Sequence, residues 1–351
     1  MDREALGRLV SGASRLYARR DVWVSDLAST TGLSEAGVRL GFEHLEREVS
    51  DDDVARLSAW ALSQGPADRV TVLLSATVFV AAFRALVLAR IVAPEVVLRP
   101  SRRDPICARA LVECMQDTSI RIEEGLDVAS VDRGVIHAYG TDATLRAVEA
   151  AARVPVLGHG TGLGVCVVGG DPVAAGEAIA RDVVAFDQRG CLSPRIVWVD
   201  GGARARDVAH ALASALEASP VPRGVLSVDE RGEARRWGES MRFAGQVWEG
   251  PWGAVGLTCA PDAVLGPPGR HVHVAPFATT PELRAALAPL ARFVTTIGFQ
   301  DGGLDPAALV PHARVVALGS MQRPPLDGPV DRRSAGVSST DPRRCPAPTA
   351  R

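Results

Sequence analysis

Lysine and asparagine are absent from this sequence, and every one of its 39 basic residues is arginine. Without lysine there is no Schiff base, no pyridoxal phosphate anchor and no phosphate-loop lysine of the nucleotide-hydrolase type, which speaks against ATP-driven motors. Long apolar runs are missing as well. No stretch reaches the roughly 18 to 20 residues needed to cross a bilayer, and the opening MDREALGRLV lacks the charged, then apolar, then small-residue layout of a signal peptide. The expected location is cytoplasmic, with no membrane span. Nor is there an excess of positive charge: 39 basic against 41 acidic residues leave a net charge of −2, so no overall field draws the chain to nucleic acid or anionic membrane. The six cysteines (107, 114, 166, 191, 259 and 345) form no CxxC pair and no Cys/His cluster with zinc spacing. Neither a disulfide framework nor a metal site is expected.

What remains is a chain of 351 residues, 47% hydrophobic and 23% charged, the profile of a soluble globular protein of one to three domains. Residues 1–65 carry helical periodicity, with capping candidates at Ser25, Ser34 and Ser50, and read as a helical N-terminal cap. A helix-turn-helix over 34–45 is disfavoured because Glu35, Glu43, Glu46 and Glu48 would repel phosphate. From Arg69 the pattern changes to strands alternating with helices, which predicts a parallel sheet covered on both faces. We read 66–186 as a dinucleotide-binding domain and 187–300 as a second α/β, thiol-bearing domain. A segment at 301–328 returns to the first domain, and a disordered tail at 329–351 is rich in Ser, Pro and Arg. Within the second domain, 225–276 is a mixed segment whose one clear element is the alternating HVHVAPF.

In such sheets ligands sit beyond the carboxyl ends of the strands, so Ser75 to Thr77, Arg99 to Arg103, Gly140 to Asp142 and Gly158 to Gly164 should converge on one crevice. GHGTGLG at 158–164 precedes a strand rather than a helix, so it is not the dinucleotide fingerprint; its glycines permit a tight turn and close backbone approach. Cys191 is the informative thiol. It lies between a helix and a strand, Gly190 leaves room for a carbonyl, and the N–H groups just after it can face a developing oxyanion. Cys107 and Cys114 share a helix face, Cys166 sits in an apolar strand, Cys345 is in the tail, and Cys259 has no supporting context.

The run VVLRPSRRDP, VIHAYGTD, VPVLGHGTGLGVCVV and DQRGCLSPRIVWVDG resembles the aldehyde dehydrogenase superfamily in its reductase branch, in particular the acyl-CoA reductase family that includes the fatty-acid reductase of bacterial luminescence. RHVHVAPF, TTIGFQ and ALGSMQRPPLDG extend the likeness, which covers about residues 60–330. The resemblance implies an aldehyde dehydrogenase-like α/β fold. It also implies reduction of an acyl-CoA, or another acyl thioester, to an aldehyde with NADPH or NADH, through a thioester on Cys191. Arg99 takes the place of the family's ribose-contacting basic residue, with Ser101, Arg102 and Arg103 bordering it. An arginine at 102 or 103 is placed to pair with a 2′-phosphate, which favours NADPH. Gly140 and Thr141 match the loop beneath the nicotinamide or pyrophosphate, Gly160 joins them as a cofactor contact, and His159 is a candidate acid.

Three departures refine that expectation. GHGTG carries no general-base glutamate, which favours reduction over hydrolysis. The superfamily's oxyanion asparagine has no counterpart, so Thr77 or the backbone N–H of Cys191 must serve. The chain is also short for the family, leaving the bridging hairpin of its oligomers in question. Alternatives are reduction of an acyl phosphate or a carrier-protein thioester, or a non-catalytic subunit that binds nucleotide or an acyl group. A homo-oligomer and an acyl-transferring partner protein are both open.

Overall fold

In the computed structural model, residues 3–45, 49–76, 78–301 and 303–333 are described. Four helices come first: α1 (Arg3–Ala18), α2 (Val24–Thr31), α3 (Glu35–Phe42) and α4 (Asp51–Gln64). The Ser34 side chain accepts from the Gly37 N–H to start α3, and Ser50 with Asp53 forms a reciprocal capping box at the start of α4. Ser25 starts nothing. It lies inside α2, whose N-cap is Trp23, so the helix begins two residues earlier than that hydroxyl suggested.

A five-stranded parallel sheet follows, built from β1 (Arg69–Leu73), α5 (Ala81–Val92), β2 (Glu95–Arg99), α6 (Ile106–Met115), β3 (Ile120–Ile122), β4 (Val135–Tyr139), α7 (Asp142–Ala151) and β5 (Val156–His159) in the order β3-β2-β1-β4-β5. The N-terminal helices, α5 and α6 cover one face. Val148 of α7 packs with Leu73, Val97, Ile136 and Ala138 on the other. Burial on both faces explains why these strands read as nearly unbroken apolar runs.

The second sheet takes β6 (Leu163–Val168), α8 (Pro172–Val184), β7 (Pro194–Asp200), α9 (Gly202–Glu217), α10 (Val228–Ala244), β8 (Gly245–Gly250), β9 (Gly253–Thr258), β10 (His271–Phe277), α11 (Thr280–Leu287), β11 (Val294–Gln300) and β12 (Arg314–Ala317). Its order is β12-β11-β6-β7-β10-β9-β8, and only the β8–β9 pair is antiparallel. The chain changes sheets between His159 and Leu163, so β6 and α8, assigned above to the dinucleotide-binding unit, pair and pack with the second sheet. The mixed segment at 225–276 resolves into one helix and three strands.

The C-terminal segment runs back along α5, where Arg84 donates to the carbonyls of Pro324, Pro325 and Gly328 at 2.6–2.7 Å. Asp327 pairs with buried Arg314 at 2.6 Å and with Arg332 at 2.7 Å. Residues 329–333, which the sequence reading gives to the tail, are therefore held by the fold; the rest of that tail lies outside the described residues. Among the described residues no helix is long and apolar enough to cross a membrane.

Candidate active site

Cys191 is delivered by an unusual turn. After α8 the residues Phe186, Asp187 and Gln188 all have positive φ, at 56°, 48° and 62°. A left-handed conformation costs a non-glycine residue about 1–2 kcal/mol, so the surroundings must impose it. They do so through buried polar groups. The Asp187 carboxylate accepts from Arg270 Nε at 2.7 Å and from the Gly224 N–H at 2.8 Å, while its carbonyl takes the Gly269 N–H at 2.9 Å. Arg270 spends its other donors on the carbonyls of Val221 (2.9 Å) and Pro222 (3.2 Å). The Gln188 amide donates to the carbonyls of Pro194 (2.6 Å) and His271 (2.9 Å) and accepts the His271 N–H at 2.8 Å. The side-chain polar groups of Asp187 and Gln188 are thereby engaged.

The thiol stands where three neighbouring parallel strands begin. Gly162 precedes β6, the Cys191 loop precedes β7, and Thr295 is the second residue of β11. The Thr295 hydroxyl is within hydrogen-bond reach of the carbonyls of Leu163 (3.2 Å) and Cys191 (2.5 Å). A Cβ on Gly162 would fall 2.5 Å from Thr295 Cγ2 and 3.2 Å from Cys191 Cβ, so only glycine fits there without displacing a neighbour. Behind Gly190, the Gln322 amide donates to Ser193 Oγ at 3.3 Å. Cys191 itself is exposed. Crowding by the walls pushes its thiol up to about 11, with Asp331 adding to the rise and Arg333 and the residue's own backbone N–H opposing it. Because the residue stays open to solvent, water screens part of that rise.

Across from this amino edge of the second sheet lies the carboxyl edge of the first. The Gly140 N–H donates to the His159 carbonyl at 3.2 Å, and Thr141 caps α7 by accepting the Thr144 N–H at 3.2 Å. Asp142 Oδ1 takes the Thr161 N–H at 2.9 Å, and a Cβ on Gly160 would come within 2.7 Å of that oxygen. Gly140, Thr141 and Gly160 thus meet around the short loop that continues to Gly162 and Cys191. Arg99, Ser101 and Arg103 lie farther along the same edge, at the end of β2. Half-buried Arg99 donates to the Leu126 carbonyl at 3.3 Å, and its pKa is lowered by desolvation and by Arg102. Ser101 Oγ accepts the Arg103 N–H at 3.2 Å, and Arg102 and Arg103 are exposed. This donor set suits an anionic dinucleotide: exposed guanidiniums at one end of the edge, and bare backbone at the other. Thr77 lies outside the described residues.

His159, the last residue of β5, is a poor acid. Its ring stacks on Tyr139 with centroids 4.3 Å apart, and burial pulls its pKa down to about 4, leaving it neutral at pH 7. His159 Nε2, Tyr139 Oη and His137 Nδ1 are all buried without a hydrogen-bond partner among the described residues.

Sequence reading did not single out Asp187, Arg270, Gln188, Thr295, Asp331 or Arg333. Asp187 and Gln188 stand in the same DQRGC run as the thiol, and adjacency was the available signal. Nothing local marks Arg333. Its guanidinium donates to the carbonyls of Thr161 (2.8 Å) and Arg292 (3.0 Å), reaches that of Gly160 at 3.5 Å, and pairs with Asp331 at 2.5 Å.

Solved structures share this fold. An NAD-dependent benzaldehyde dehydrogenase from Corynebacterium glutamicum is 16% identical, with 90% of this chain and 81% of that one covered at a TM-score of 0.64. A Mycobacterium tuberculosis aldehyde dehydrogenase complexed with NAD+ is 14% identical, covering 89% and 76% at a TM-score of 0.66. An oxidoreductase from Marinobacter aquaeolei is 13% identical, covering 94% and 82% at 0.65. At these identities the likeness is one of fold. No curated protein matches the sequence. The family model described as acyl-CoA reductase (LuxC) matches residues 62–244, more than half of the chain. On that match and that fold, the chain belongs to the acyl-CoA reductase (LuxC) family of the aldehyde dehydrogenase superfamily.

Proposed function

We propose that this oxidoreductase converts an acyl-CoA to an aldehyde through a covalent thioester on Cys191. The observation that carries the reading is the seat of Cys191: the thiol is solvent-open, fixed by a locked turn, and joined through the Gly160–Gly162 loop to the carboxyl edge of a parallel sheet. In the reaction the Cys191 thiolate adds to the acyl carbonyl carbon, the bond from that carbon to the CoA sulfur breaks, and CoA leaves as a thiolate that takes a proton from solvent. The Cys191 N–H, which faces its own sulfur, is the donor best placed to meet negative charge there. A bound reduced nicotinamide supplies the hydride that turns the enzyme thioester into aldehyde and frees Cys191. Gly140, Thr141 and Gly160 would lie against its nicotinamide end, and Arg99, Ser101 and Arg103 against its adenosine end. Exposed Arg102 and Arg103 favour NADPH over NADH.

With an acyl-CoA and NADPH, the purified protein should consume NADPH and carry an acyl mass on the Cys191 peptide; Cys191→Ala should do neither. An adduct on another cysteine overturns the site. Retained NADPH binding without adduct or turnover for any activated acyl group assigns the chain a non-catalytic binding role instead.

A further inference from the structure

Of the charged groups near the thiol, two belong to a segment that the family match at 62–244 does not reach. Arg333 donates to the carbonyls of Thr161 and Arg292, which brings it onto the loop that ends at Gly162, the residue whose Cα faces Cys191 Cβ. Asp331 grips the same guanidinium at 2.5 and 2.7 Å. The pair is only partly covered, at 19% and 13% side-chain exposure, so its field reaches the crevice without being sealed from water. We propose that Arg333 is the electrostatic partner of the Cys191 thiolate and that Asp331, by holding and offsetting this cation, tempers its effect on the thiol. This rests on the reading of Cys191 as nucleophile.

The groups that face the thiol electrostatically are Asp331, Arg333 and Arg84 of α5. Asp142 of α7 acts on Arg333, and His159 of β5 feels both members of the pair. Thr295, Ser193 and Gln322, which also pack around the thiol loop, are uncharged. Arg333 brings a full charge from the C-terminal side, one that acts on the thiolate through space. Arg333 is a positioning residue in this scheme.

The test is the pH profile of Cys191 alkylation by iodoacetamide in the full chain, followed by peptide mass, with exposed Cys259 as the internal reference. Arg333→Gln should move the midpoint upward and Asp331→Asn downward, and each pH unit of displacement is a tenfold change in thiolate fraction below the midpoint. Arg333→Lys should return the midpoint toward that of the parent. Opposite signs are the signature, since mere loosening of the segment would move both variants the same way. Same-sign shifts, or midpoints that stay put, overturn the proposal. Should Arg333→Gln fail to fold by circular dichroism, Asp331→Asn and Arg333→Lys still read the sign. Absence of turnover with opposite shifts sinks the reductase reading and leaves the charge pair standing; normal turnover with unmoved midpoints does the reverse.

Discussion

Two aspartate–arginine pairs flank the thiol loop, and they do different things. Asp187–Arg270 is sealed, with side chains 3% and 1% exposed, and each nitrogen of its guanidinium donates to a backbone carbonyl or the carboxylate. Asp331–Arg333 is partly open and looks into the crevice. A buried charge is tolerated only while its counter-charge and hydrogen bonds are complete, so the first pair behaves as a fixed joint. Water and arriving ligands compete for the second, so it can respond. The contrast separates what shapes the nucleophile's seat from what sets its charge.

The largest effect should come from breaking the joint. Arg270→Met strands the Asp187 carboxylate and should lower unfolding free energy by about 3–5 kcal/mol, read as a fall in urea midpoint, with Asp187→Asn/Arg270→Met recovering much of the loss. A cost no larger than that of Arg333→Gln would erase the distinction.

Asp182 sharpens it from another side. This buried carboxylate accepts the N–H groups of Gly319 (2.6 Å) and Met321 (2.9 Å), and desolvation pushes its pKa up to about 7. With the folded value above the unfolded one, the native state binds more protons between about pH 4 and 7, so this group's contribution declines as pH rises through that window. Asp182→Asn should remove a decline on the order of a few kcal/mol from the urea-midpoint profile across those pH values. Arg333→Gln should cost less than about 1 kcal/mol of stability, despite its effect on the thiol. The most solvated of these pairs is Glu4–Arg8 on α1, where Glu4→Gln should change thermal stability by less than about 0.5 kcal/mol.

The alternation of strands and helices was legible because both sheets are covered on two faces and their central strands are largely apolar. It failed where that signal weakens. Helix α10 buries only Trp237, Gly238 and Met241, too little for a clear helical period. Edge strand β8 has no buried residue, and its return through Pro251 and Trp252 into β9 carries no alternation. The switch between sheets at Gly160–Gly162 was hidden because a glycine-rich turn reads alike within a unit or between two. Cys191 was findable from its Gly-flanked position between helix and strand. The left-handed turn before it was not, since Phe186, Asp187 and Gln188 are not residues that ask for positive φ; tertiary contacts from Arg270 and His271 impose it. Arg333 lay beyond reach for a similar reason, because its partners are backbone carbonyls, which any sequence supplies.

That β6, β7 and β11 begin side by side has a mechanical meaning. The ladders of these strands begin next to Gly162, the thiol turn and Thr295, and the Thr295 hydroxyl bridges the carbonyls of Leu163 and Cys191, so these three travel as a block. The Gly140–Gly160 rim is anchored in the other sheet. A small rotation of one sheet against the other would widen or narrow the gap over the sulfur while leaving its immediate geometry untouched, so admission of substrate and alignment of the reacting atoms would be governed by separate parts of the molecule.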